Sequence, residues 1–101
     1  MSNVIRATTP TIKYTFKVVS VSDITKAYLT IKKGEVTIEK DLSDATVGEN
    51  YLAWTLTQQE TLGIAAGTAQ MELNWLTLGG TRGASKRVNV TFDPNLKEEV
   101  I

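Results

Sequence analysis

Apolar side chains fall on every second position in run after run of this chain, and no other feature narrows its fold so far. Ile12, Tyr14, Phe16 and Val18 alternate with Lys13, Thr15 and Lys17, and the spacing returns in Ala27, Leu29 and Ile31, then in Val36 and Ile38. It recurs in Leu52, Trp54 and Leu56, in Ala69, Met71, Leu73 and Trp75, and in Val88, Val90 and Phe92. Successive side chains of a strand point to opposite faces, so each run makes a strand with one face buried and one wet. No series of ten-residue helical patterns lies between the runs to carry crossovers, which argues against a parallel α/β domain. The expected architecture is an all-β antiparallel sandwich of about seven strands, with a small barrel as its rival.

The connections carry their own chemistry. In "KKGE", Gly34 supplies the positive φ of a tight hairpin turn. "DLSDATVGEN" is a longer polar connection in which Leu42 and Val47 are expected to point inward. Thr57 precedes Glu60 by three residues, the spacing of a capping box, and this predicts a helical turn over Gln58 to Leu62. Gly63 is expected to end that turn in a left-handed conformation, Leu62 and Ile64 to plug the core, and Gly67 to open the next strand. Leu76 and Leu78 break the parity set by Ala69 to Trp75, which predicts an irregularity near Trp75 and Leu76. "GGTRG" reads as a hairpin turn, and Asp93 with Pro94 ends the last strand. The expected organisation is an arm over 1–11, a sandwich over 12–93 and a tail over 94–101. Val4, Ile5, Val100 and Ile101, apolar residues in otherwise polar ends, are candidate docking arms able to pair with a neighbour's strand edge.

Function is bounded first by what is missing. A chain of 101 residues holds one modest core, and this one contains neither histidine nor cysteine. His/Cys zinc sites, histidine dyads and disulfides are therefore excluded. Eleven basic and eleven acidic residues balance, which removes the long-range attraction that nonspecific nucleic-acid binding needs. No apolar run approaches the roughly 20 residues that span a bilayer, and the first residues lack the apolar stretch of a secretory signal, so a soluble chain without membrane insertion is expected. Asp41, Asp44 and Glu49 share a polar loop without the ligand alternation of an EF-hand. Ser85 and Lys86 are adjacent on a strand and point apart, which disfavours a Ser-Lys nucleophile. The glycines match neither phosphate-binding spacing, and no catalytic residue, metal or cofactor is expected. What remains is a contact surface. Tyr28 and Tyr51 lie on the wet parity of their strands, and Arg82, Lys86 and Arg87 gather near one hairpin end, where a soluble charged edge is favoured over nucleic-acid contact.

The order "IKYTFKVV", "ITKAYLTIKKGEVTIEKDL" and "YLAWTLTQQETLGIAAGTAQMELNWLTLGGTRGASKRVNVTF" resembles the small immunoglobulin-like β-sandwich domains of bacteriophage and prophage tails, in particular the amino-terminal domain of baseplate upper proteins. The likeness spans about Ile12 to Phe92, and its most distinctive part is "LTQQETLGIAAGTAQMELNW". It implies a noncatalytic structural protein whose partners are other phage structural proteins, with a homo-oligomer also admitted, located in the virion or in the host cytoplasm during assembly. The chain departs from baseplate upper proteins in having no long region after the sandwich, which leaves tail and head stations both open. A carbohydrate- or receptor-binding module is the alternative, and it would require at least two aromatic rings on one surface.

Overall fold

The computed structural model describes residues 3–101. Two sheets face each other across one apolar core. The larger contains β1 (Asn3–Ile5), β3 (Ile24–Lys33), β4 (Val36–Asp41), β7 (Gly67–Thr77), β8 (Arg82–Ala84) and β9 (Val88–Asp93); the smaller contains β2 (Thr11–Thr15), β5 (Thr46–Val47) and β6 (Tyr51–Thr55). All pairings are antiparallel except that of β1 on β9. The order β4-β3-β7-β9 opposite β5-β6-β2 is that of a variable-type immunoglobulin sandwich. The described chain has nine strands rather than about seven, because β1, β5 and β8 are three, two and three residues long and too short to show an alternation.

The alternating runs supply the core as their spacing requires. Ala27, Leu29 and Ile31 of β3, Ala69 and Leu73 of β7, and Val90 and Phe92 of β9 face Ile12, Leu52 and Trp54 of the smaller sheet in one buried cluster. Trp54 is 1% exposed, and its indole Nε1 donates to the Asp41 carbonyl at 2.9 Å, so a central side chain of one sheet also holds an edge of the other. Trp75 fills one end of the sandwich against Phe16 and Tyr14, with ring centroids 5.1 and 5.9 Å away.

Between β6 and β7 the capping box forms as the sequence predicts. Thr57 Oγ1 accepts from the Glu60 amide at 3.1 Å and Glu60 Oε1 accepts from the Thr57 amide at 2.8 Å, opening helix α1 (Gln58–Leu62). Thr61 is fully buried and donates its hydroxyl to the Thr8 carbonyl at 2.8 Å, which fixes the helix to the chain leaving β1. Ile64 is buried, whereas Leu62 is only half-buried.

Several expectations are corrected. Gly63 is right-handed, at φ −67° and ψ −16°, because its amide donates to the Gln59 and Glu60 carbonyls and continues the turn instead of reversing it. Val18 is 96% exposed: β2 stops at Thr15, and the chain crosses to the other sheet with Phe16, Val19 and Val21 turned inward. Val47 is exposed, since β5 pairs for only two residues beside the end of β6. The irregularity sought near Trp75 and Leu76 lies across from them on β3, where Ile24 opposes Thr77 and Lys26 opposes Leu76. The extra residue, Thr25, donates its hydroxyl to the Leu76 carbonyl at 3.1 Å. Val4, expected in a docking arm, is buried in the core at 3% exposure, because β1 pairs alongside Thr91 to Asp93. The described part of 1–11 thus contributes a strand to the sandwich.

Candidate functional site

The residues marked for contact separate onto different surfaces. On the outer face of the larger sheet Tyr28 stands opposite Asn74, and Arg82 donates to Asn74 Oδ1 at 3.3 Å. Arg87 approaches Glu72 at 3.7 Å on the same face, over a shallow groove of about 510 Å³ that Thr30, Lys32, Gln70 and Asn89 also line. Tyr51 follows the outward parity of β6, between inward Leu52 and the end of its strand, and the Lys13 ammonium lies 4.3 Å from its ring centroid. Tyr28 and Tyr51 therefore occupy opposite outer faces, and these two rings do not form one platform. Lys86 sits apart from both, at the edge between β8 and β9.

A second surface lies at the end of the sandwich where β1, α1 and the tail meet, and Arg6 organises it. Its Nε donates to the Ile64 carbonyl at 2.8 Å, Nη2 donates to the Leu62 carbonyl at 2.8 Å, and Nη1 pairs with Glu98. The first two bonds satisfy carbonyls at the close of α1, where a helix end leaves acceptors unpaired. The tail is tied back by polar groups: Asn95 Nδ2 donates to the Arg6 carbonyl at 3.0 Å, and Gln58 holds both the amide and the carbonyl of Ile101, at 2.7 and 3.1 Å. Ala7, next to Arg6, adopts φ +68°, a left-handed conformation that costs a residue with a Cβ about 1–2 kcal/mol. Ile5 at 50%, Val100 at 57%, Ile101 at 87% and Leu96, fully exposed, present aliphatic surface on these same segments. The docking residues Ile5, Val100 and Ile101 are thus displayed, while Val4 is not. Arg6 was not foreseen, although it is the one charged side chain among the first twelve residues.

The carboxylates and hydroxyls with marked partners serve the scaffold. Hydrogen bonding from the Ser43 hydroxyl holds the Asp41 carboxyl below its ordinary value, and Asp41 with Asp44 closes a second capping box at the end of β4. Burial alone would raise Glu60, but the Thr57 amide and the Lys40 ammonium at 3.0 Å outweigh it and hold this carboxyl down. Ser85 accepts from the Leu73 amide at 2.9 Å and donates to the Lys86 carbonyl at 3.2 Å, replacing a ladder bond where β8 passes into β9. Among the described residues no group of three or more metal-ligating side chains gathers, and no buried side-chain nitrogen or oxygen lacks a hydrogen-bond partner. Compared with known protein families, with curated proteins and with solved structures, the chain matches none.

Proposed function

We propose that this domain is a noncatalytic structural protein that makes protein–protein contacts in a bacteriophage or prophage tail or baseplate. The observation that carries the reading is the end built by Arg6 and Gln58: the exposed aliphatic side chains of Ile5, Leu96, Val100 and Ile101 occur on segments held by polar ties to one another and to α1. Exposed apolar surface is what a docking partner removes from water. The resemblance to tail and baseplate domains supplies the assembly in which such a partner is sought, in the virion or in the host cytoplasm while tails are built. The tyrosines on opposite faces weigh against the carbohydrate alternative, which needs two rings together.

The test is co-expression of the chain with any tail and baseplate proteins found to be encoded beside it, followed by native mass spectrometry of the purified complexes and antibody labelling of assembled particles. A defined complex, weakened by replacing Leu96 and Val100 with serine, is the expected result. Particles lacking the chain, with no complex to any tail protein and specific binding on a glycan array, would overturn the reading.

A further inference from the structure

The two sheets do not close along the side where β2 and β9 run. β2 pairs only with β6, so the other edge of Thr11–Thr15 carries unpaired backbone groups. Across from it, among the described residues, β1 pairs with β9 opposite Thr91 to Asp93, and β8 with the stretch from Ser85 to Val88 lies beyond that pairing as a second edge. Between these edges lies a groove of about 430 Å³ lined by Ile12, Tyr14, Met71, Leu73, Val88 and Lys86. Its surface is mainly apolar, and Val88 beside it is 43% exposed. Other edges are blunted: β5 has two residues, β1 has three, and β4 alternates with Glu39 and Lys40.

The geometry points to this groove as the acceptor for the tail of a second copy of the chain, residues Leu96 to Val100 added as an extended strand along β2. Length is the first argument. Five residues at about 3.3 Å each span the same distance as the five-residue edge of β2. Chemistry is the second: Leu96, Glu98 and Val100 share one side of an extended segment, so an apolar, an acidic and an apolar group enter together. The groove offers apolar walls with Lys86 on its rim, whereas Glu72, its acidic residue, already faces Arg87 at 3.7 Å. Backbone pairing supplies affinity and the alternate side chains supply selectivity, as in other strand additions. The donor gives up the exposed ties of Arg6 to Glu98 and of Gln58 to Ile101, which are weak in water. Because donor and acceptor surfaces differ, the contact closes either by reciprocal exchange of tails between two copies or head-to-tail in a larger ring or an open filament. One short strand buries less than the roughly 1,200 Å² of a stable complex, so a single contact is weak and gains strength by closure of a ring.

The inference deepens the assembly reading by naming one contact, and its test is separate from the test of that reading. The cysteine-free sequence permits full-length single-cysteine variants, Val88→Cys at the groove and Leu96→Cys on the tail, mixed in a glutathione buffer. The control pairs Leu96→Cys with Val36→Cys, a position of similar exposure on the far edge of the larger sheet. The mixed Val88–Leu96 disulfide is expected to form about tenfold faster than the control, through a raised effective concentration, and to slow when Lys86→Glu is added to the acceptor. Circular dichroism establishes that each variant is folded. Equal rates for the two pairs would overturn the proposal. So would closure of the disulfide within one dilute chain carrying both substitutions, which would make the acceptor intramolecular. A chain that joins tail particles but fails this exchange keeps the assembly function and loses this contact.

Discussion

Replacing Trp54 tests the packing on which every surface described above depends. The side chain is 1% exposed at the centre of the smaller sheet, and its indole reaches the Asp41 carbonyl in the larger one. Trp54→Ala removes the transfer energy of the ring and leaves a cavity that two sheets fixed by hydrogen-bonded ladders fill only in part; substitutions of this kind cost about 3–5 kcal/mol. The freed Asp41 carbonyl adds little, because Asp41 is exposed and water replaces the indole. A domain of this size has about 5–15 kcal/mol in all, so the variant approaches the limit of folding. With a urea slope of about 2 kcal/mol per molar, a loss of about 4 kcal/mol moves the midpoint down by about 2 M.

Trp75 remains as the fluorescent reporter, packed against Phe16 and Tyr14 at the end of the sandwich and away from the substitution. Trp54→Phe separates the two contributions: it keeps an aromatic ring but loses the indole donor and some volume, and is expected to cost about 1–2 kcal/mol. Coincident transitions by fluorescence and circular dichroism establish that one cooperative unit is being measured. A loss below about 1 kcal/mol for Trp54→Ala would refute the placement of this ring at the centre of the core.

Thr57→Ala removes one arm of the capping box and is expected to lower stability by about 1 kcal/mol in thermal denaturation; no change would mean that α1 is held by Thr61 and Arg6 alone. Glu60 has its folded-state value lowered, so its contribution is present above its ordinary value of about 4.5 and is lost as pH falls through the folded value. Glu60→Gln should therefore reduce stability at neutral pH and flatten its decline on acidification, followed by urea midpoints across that range. Gly83→Ala would set a Cβ 2.4 Å from the Trp75 ring, and the overpacking is expected to cost about 1–3 kcal/mol and to alter Trp75 emission.

What the sequence made legible was whatever repeats along the chain. Alternation gave the inward residues of β3, β6, β7 and β9, and the Thr57 to Glu60 spacing gave the start of α1, because these signals arise from neighbours a few residues apart. Where the cause lies across the fold, the reading stopped. Val18 continues the alternation of β2 but falls after the strand has left its partner, so its parity has no sheet to refer to. Val4 becomes a core residue only because β9, almost ninety positions later, lies beside it. Arg6 binds carbonyls near residue 63 and a carboxylate near the other terminus, partners that no local pattern could name. The bulge was foreseen in place but not in strand: a parity change on β7 can be absorbed equally by its neighbour, and Thr25, whose hydroxyl bonds across to Leu76, is where it happens.

The departures from ordinary folding rules then indicate where to look for function. Sites that do work are usually those at which local preferences are violated and stabilised from elsewhere. Here the interior contains no such violation among the described residues: its polar side chains are all partnered, and Asp41, Asp44, Glu60 and Glu72, outside it, close helical turns or face lysine and arginine. The violations lie outside it. Ala7 holds a left-handed φ beside the Arg6 hub, aliphatic residues of the tail stand in water next to their polar ties, and one side of the sandwich leaves two strand edges uncovered around an apolar groove. Each is unfavourable for an isolated chain; burial by another polypeptide would relieve the apolar surface and backbone pairing the free edges, whereas the Ala7 φ is held within the chain. On the proposed assembly reading, exposed carbon and free strand edges are the features that association with another polypeptide uses.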